Sequence, residues 1–320
     1  MQKQRHHEFI KKFPQMRVLV AGDIMLDHYI SGVVERISPE APVPVVLEKS
    51  REYFLGGAGN VAANIAALGG KVTLLGAVGN DVEGRLVYKL CKKMGITTSL
   101  VKEKGRPTSR KARILAGPHQ LLRLDMERVD DISKDVEHKI ARDIKSLGEH
   151  NLVVISDYSK GYLTKGVVDA LKKKFGGRRI IANIKPTARA GFFGNVRLLT
   201  FNSKEAYDIA HIPVNTDRGA VRAALALSKK FKSSVVITRG EHGMTVYDRV
   251  LGKTSHISSD ALKVFDVIGA GDTVIAALAL MQACGASLAE SAHVANKAAA
   301  VVVGIRGTAT VSPEELLAKL

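Results

Sequence analysis

The chain has 320 residues, 46% of them hydrophobic and 25% charged, with a formal net charge of +17 at pH 7. That size suits one large α/β core, or a core with a smaller lobe, and no apolar run reaches the length of a membrane span. Lysines and arginines are spread along the chain and aromatics make up only 5%. The charge therefore reads as a solvated surface that attracts small anions, since a nucleic-acid interface needs a basic patch with stacking rings.

Met1 to Gln15 is polar and basic, without the hydrophobic stretch of a secretory signal. It reads as a surface leader, because His6 and His7 lack a second histidine at helical spacing to hold a metal. Cys91 and Cys284 stand far apart inside apolar helical patterns and read as reduced core residues of a cytoplasmic protein.

Val18 to Gly22 is a short apolar run ending in glycine, the expected first strand of a parallel sheet. Asp23 and Asp27 follow at once. At a strand's carboxyl end such carboxylates could hold sugar hydroxyls, or simply cap turns. Three prolines in Ile37 to Leu47 favour an edge strand or loop. Gly56-Gly57-Ala58-Gly59-Asn60-Val61-Ala62 then turns into an alanine-rich helix closed by Gly69. Its G-x-G-x-x-A string, Gly57 to Ala62, opens a dinucleotide-binding reading, but the preceding Arg51 to Leu55 is half polar and makes no clear strand. Val72 to Gly79 is the next strand.

Thr108 to Leu115 and Leu121 to Leu124 read as a hairpin outside the main rhythm, forming a small sheet with the segment around Pro42 to Leu47. Lys111, Arg113 and Arg123 would turn positive charge toward an anionic substrate, or serve as edge-strand charges. Strands at Leu152 to Ile155, Arg179 to Asn183, Val196 to Thr200 and Val235 to Thr238 then alternate with helices, and a second hairpin spans Met244 to Tyr247 and Lys253 to Ile257. Alanine-rich helices are expected over about 272–284 and 287–303. This alternation means a three-layer, mostly parallel α/β fold.

Polar groups follow the strands at Asp23/Asp27, Asp157/Lys160, Asn183/Lys185, Asn202/Glu205 and Thr238/Gly240. In such a fold those ends share one edge of the sheet. The stretch Phe265 to Val274 adds Gly269-Ala270-Gly271 and a lone Asp272 ahead of a long apolar run. Glycine amides at a helix start suit a phosphate, and Asp272 is placed to take a proton from an attacking hydroxyl. The plainer alternative makes Asp272 a helix N-cap. Taken together, the inventory fits phosphoryl transfer. No G-x-x-x-x-G-K-[ST] string occurs, which excludes a P-loop.

Gly56 to Ala62, with Gly69 and Gly79 beyond, resembles the first signature of the ribokinase-like (PfkB) sugar kinases, and Asp266 to Ala277 resembles the second. Within that family, Gly22 to Asp27, Arg36 to Val46, Ser156 to Gly161 and Gly307 to Pro313 are similar to the kinases for D-glycero-β-D-manno-heptose 7-phosphate. The resemblance implies a single ribokinase-like domain over 1–320 with a β-sheet lid drawn from about 33–55 and 106–125. It implies ATP-dependent phosphorylation of that sugar's anomeric hydroxyl on the way to ADP-heptose, with magnesium, and leaves open a monovalent cation. In many bacteria such kinases are the N-terminal half of a bifunctional protein, whose nucleotidyltransferase half would begin beyond Leu320.

By the same resemblance Asp272 is the catalytic base, and the amides of Gly269, Ala270 and Gly271 form the anion hole. Asn202, Ser203, Lys204 and Glu205 match the N-x-x-E element near the ATP phosphates, Glu205 reaching the metal through water. Thr238 and Gly240 lie on the nucleotide side. Asp27, Gly57 and Asn60 fall on sugar-binding positions with Asp23 beside them, while Lys111, Arg113, Asp157, Lys160 and Lys185 are further candidates for the substrate pocket. Two lids would clasp each other in a homodimer, with no nucleic-acid or membrane partner. Three departures stand out: Ile268 where the family has Thr or Ser, Asn183-Ile184-Lys185 where it has Asp-Pro-Lys, and Phe201 where it has proline. Other readings are a kinase for another sugar, an NAD-binding oxidoreductase using Gly57 to Ala62, and a basic nucleic-acid module.

Overall fold

The computed structural model describes residues 2–259, 267–305 and 307–320. Phe265 and Asp266, which open the stretch leading to Asp272, lie outside the described residues. Helix α1 (Gln2–Ile10) precedes β1 (Arg17–Gly22), and two long strands, β2 (Ile24–Ile37) and β3 (Pro44–Gly57), run directly into α2 (Ala58–Ala67). There follow β4 (Lys71–Gly79), α3 (Val82–Lys93), β5 (Thr97–Glu103), β6 (Ser109–Ala116), β7 (His119–Met126) and α4 (Lys134–Ser146). The βα rhythm resumes with β8 (Leu152–Ser156), α5 (Lys165–Phe175), β9 (Ile180–Asn183), β10 (Leu198–Asn202), α6 (Ser203–Ala210), α7 (Asp217–Phe231) and β11 (Ser234–Thr238). A hairpin of β12 (Met244–Asp248) and β13 (Lys253–Ile257) is followed by α8 (Ala270–Ala283), α9 (Leu288–Val302) and α10 (Pro313–Lys319).

Among the described residues the large sheet has the order β13-β12-β11-β10-β9-β8-β1-β4-β5, parallel except for β12 and β13. Its central strands are apolar on both faces because both are covered. Val18 and Val20 pack into one core with α2, α8 and α9, while Leu19 and Ala21 pack into the other with α4, α5 and α7. Full burial of such side chains contributes about 1.5–3 kcal/mol each for Val or Leu, which is why these strands read clearly as unbroken apolar runs. No helix among the described residues is long and apolar enough to cross a membrane.

The small sheet has the order β3-β2-β6-β7, with β2 antiparallel to β3 and parallel to β6. It contains the hairpin expected near 108–124, but its largest members differ from expectation. Ile24 to Ile37 is one 14-residue strand that carries Asp27 within it, and Arg51 to Leu55 is part of β3 despite its polarity. Both strands have two environments: buried where they cross the main body and exposed beyond it, so neither keeps one period. Because β3 is antiparallel and belongs to the small sheet, Gly57 to Ala62 lacks the parallel βαβ setting of a dinucleotide fingerprint.

The amino-terminal segment is also corrected. Residues 2–10 form a helix whose Phe9 and Ile10 join the core, and His6 is buried, stacked on His293 with ring centroids 5.3 Å apart. Cys91 is buried and Cys284 half-buried, both as free thiols.

Candidate active site

Strand register brings the polar strand ends to one line. Gly22 of β1 pairs with Ser156 of β8, Ser156 with Asn183 of β9, and Asn202 of β10 with Thr238 of β11. Beyond this edge stand the start of α8 on one side and the small sheet on the other.

Asp272 lies in the first turn of α8 and is 8% exposed. It does not cap the helix: Gly269 is the N-cap, with φ 80° and no side-chain capping bond. The Asp272 carboxylate instead accepts hydrogen bonds from Asn60 Nδ2 at 2.8 Å and from the Tyr158 hydroxyl at 2.7 Å. Burial raises its carboxyl to about 6, while these two donors favour the ionised form and limit the rise. Glycine at 269 is required twice over, because its φ is left-handed and a Cβ there would lie 2.8 Å from Asn60 Nδ2. The Ala270 amide donates to the Val267 carbonyl at 3.3 Å, so it is partly engaged. Gly271 is exposed at the helix end, where the first N–H groups lack an intrahelical acceptor.

Asn60 is held from behind. Asn64, one turn along α2, donates to the Asn60 side-chain oxygen at 3.2 Å, and the Thr273 hydroxyl donates to Asn64 Oδ1 at 2.9 Å. The small residues of α2 let it lie close against α8, and this buried polar row then fixes the donor that faces Asp272. Gly57 starts α2 with φ 56°, and a Cβ there would meet the Asp23 carbonyl oxygen at 2.4 Å.

On the other side, Asp27 in β2 is 5% exposed and accepts from Arg113 Nη1 of β6 at 2.5 Å, with the Thr308 hydroxyl 3.4 Å away. A Cβ at Gly56 would lie 2.7 Å from the same carboxylate. The Asp23 carboxylate, 2% exposed, accepts from the backbone amides of Tyr158, Lys160 and Tyr162 at 2.8, 3.1 and 3.2 Å. Burial, followed by the nearby Asp157, raises its carboxyl to about 6. Asp23 thus braces the loop after β8, and its acceptors are taken up by backbone. Asp157 likewise accepts from the Ser159 amide at 2.8 Å, and burial raises its carboxyl too.

Toward β10, Asn202 and Glu205 form a capping box at the start of α6, and the second Glu205 oxygen pairs with Lys185. Lys185 Nζ also sits 5.0 Å from the Tyr158 ring centroid. Ser203 donates to the Thr238 carbonyl at 3.3 Å, and Gly240, with φ 59°, borders open space. Lys204 is not brought to this edge: its side chain is 82% exposed and pairs with Asp208 one turn along the helix. Lys111 and Lys160 are not free charges either. Lys111 reaches Asp125 at 3.3 Å, and Lys160 pairs with Glu127 at 2.6 Å. Asn183 donates its side-chain amide to the Thr200 hydroxyl at 3.2 Å.

Tyr158, Asn64, Thr273 and Thr308 were missed as site residues by sequence reasoning. Two asparagines four apart in an alanine helix were a usable sign, since buried amides need partners on the same face. A groove of about 740 Å³ opens elsewhere, at the amino-terminal edge of β10 and β11 beside Arg197 and Ser234; it holds none of this chemistry.

Comparison with known proteins places the chain in a family. The model of the pfkB family carbohydrate kinases matches residues 15–315. The bifunctional protein HldE of Geotalea uraniireducens is 38% identical over 326 residues, covering 100% of this chain and 66% of that protein. HldE of Geobacter sulfurreducens is 41% identical, covering 95% of this chain and 63% of its own length. The chain thus spans just under two thirds of these curated relatives. Among solved structures, Escherichia coli phosphofructokinase-2 with substrates and products superposes with a TM-score of 0.78 at 21% identity, covering 94% of this chain and 96% of that one. Arabidopsis thaliana ribokinase with ribose and ATP gives 0.72, also at 21%, covering 95% and 98%. The fold is therefore ribokinase-like, and the chain belongs to the pfkB family of carbohydrate kinases, phosphotransferases whose acceptor is an alcohol group.

Proposed function

We propose that the chain transfers phosphoryl from ATP to the anomeric hydroxyl of D-glycero-β-D-manno-heptose 7-phosphate, giving heptose 1,7-bisphosphate. The observation that carries the reaction is the buried Asp272 carboxylate at the glycine-rich start of α8. A sugar hydroxyl brought to Asp272 would give up its proton as it attacks, and the amides at the helix start would meet the charge on the transferring group. The Arg113-oriented carboxylate of Asp27, with Asn60, would hold the sugar's hydroxyls. Asn202, Glu205, Thr238 and Gly240 would line the nucleotide side. Magnesium usually arrives with nucleotide phosphates and keeps several waters. Glu205 would reach such an ion through water; one of its oxygens accepts from the Asn202 amide at 2.9 Å and the other pairs with Lys185.

The sugar rests on the likeness of the Gly22 to Asp27, Arg36 to Val46, Ser156 to Gly161 and Gly307 to Pro313 segments to heptose 7-phosphate kinases, and on the similarity to HldE proteins. ADP release measured over a panel should favour heptose 7-phosphate over ribose, fructose and fructose 6-phosphate by at least about 10²-fold in kcat/KM, the discrimination available to a site with buried polar contacts. A preference for any other member would reassign the substrate within the family.

We also propose a homodimer joined through the small sheets. Ile37, Leu47, Leu122 and Leu124 of that sheet are 60%, 52%, 54% and 53% exposed, apolar side chains that a partner's sheet would cover. Light scattering should give twice the 34.4 kDa chain mass. The pair Leu122→Asp and Leu124→Asp should give the single mass, and a monomeric parent would end the proposal.

A further inference from the structure

We infer that Tyr158 is a positioning residue for Asp272, its hydroxyl aiming the carboxylate toward the acceptor hydroxyl while its ring carries the contact to the Lys185–Glu205 pair. This rests on the reading of Asp272 as the base and deepens it. Three observations converge on Tyr158. The hydroxyl lies 2.7 Å from Asp272 Oδ1, opposite the Asn60 donor on Oδ2, so the two bonds together fix the plane of the carboxylate. The ring faces Lys185 Nζ at 5.0 Å, and that ammonium is bound to Glu205, whose other oxygen accepts from the Asn202 amide at 2.9 Å. A continuous path of contacts thus runs from the start of α6 to the start of α8 through one side chain. Finally, the Tyr158 backbone N–H donates a hydrogen bond to the buried Asp23 carboxylate at 2.8 Å, so the phenol is placed by the core and not by a free loop.

The phenol cannot itself serve as the base. Burial, and then the Asp272 charge, push its hydroxyl well above the ordinary tyrosine range, so it stays protonated and donates. A donor on a carboxylate stabilises the ionised form. Loss of the hydroxyl should therefore raise the Asp272 carboxyl further above its already elevated position near 6.

Carbon-13 NMR of aspartate carboxyls tests this in the free protein, with the Asp272 resonance assigned by its loss in Asp272→Asn. In Tyr158→Phe, which keeps the ring over Lys185, the Asp272 titration should move up by roughly one pH unit, as expected for a charge-assisted hydrogen bond. The acid limb of kcat/KM for heptose 7-phosphate with MgATP should move with it, and kcat should fall by about 10-fold while both KM values hold. Tyr158→Leu, which removes the ring as well, should fall further. A titration and profile in Tyr158→Phe that superpose on the parent would overturn the inference, and they would do so even with Asp272→Asn inactive. Retained turnover in Asp272→Asn would instead remove the base reading, and the NMR titration would still report whether the hydroxyl governs this carboxyl.

Discussion

Asp272→Asn is expected to lower kcat by about 10²-fold or more while leaving the binding of both substrates near the parent's, the range for loss of a general base. The expectation follows from the separation of roles in the site. On the proposed roles, the amide-rich start of α8 and the strand-end residues would bind without Asp272, and the two side chains hydrogen-bonded to its carboxylate among the described residues, Asn60 and Tyr158, are both donors there. Steady-state kinetics with calorimetric binding of ATP would check it, and an unchanged kcat would remove Asp272 from the chemistry. The pH dependence carries a second sign. A base must be ionised, so kcat/KM in the parent should rise through about pH 6 and level off above it. Stability should run the other way. A carboxyl whose folded position lies above its unfolded value near 4 contributes stability that is present below pH 4 and lost as the pH rises through 6. Holding Asp272 charged at pH 7 thus costs on the order of 3 kcal/mol, the expense of keeping a reactive carboxylate out of water.

Much of this site was legible because its parts follow strands. Unbroken apolar runs such as Val18 to Ala21 and Leu152 to Ile155 are buried on both faces, so their ends, and the polar residues after them, fall on one edge by the sequence pattern alone. The glycines at 57 and 269 were legible for a related reason, since each occupies a left-handed backbone position that excludes other residues. What stayed hidden depends on partners far along the chain. Tyr158 meets Asp272 across 114 positions, and His6 finds His293 across a greater distance still. Strand β2 was hidden by its own change of surroundings, buried through Tyr29 and exposed from Val33 onward. Lys111 and Lys160 were read as candidates for the substrate pocket and Lys204 as part of the element near the ATP phosphates, yet each pairs with a nearby acid, Asp125, Glu127 and Asp208.

Asp23 separates the two ways a buried carboxylate can matter. Asp23→Ala should destabilise the protein by about 3–5 kcal/mol, because three backbone amides that now donate to it would lose an ionic acceptor with little water to replace it. Thermal melting should register this as a drop of several degrees. Turnover should fall as well, since the loop from Asp157 to Tyr162 carries Tyr158 to Asp272. Asp23→Asn should be intermediate, keeping one acceptor oxygen but turning an NH2 group toward donors. A residue that only held sugar would behave differently: its loss would raise KM for the sugar and leave the melting temperature where it was. That second pattern would return Asp23 to the substrate pocket. The first would make it the fixed point from which the core, through one loop, sets the direction of the Asp272 carboxylate.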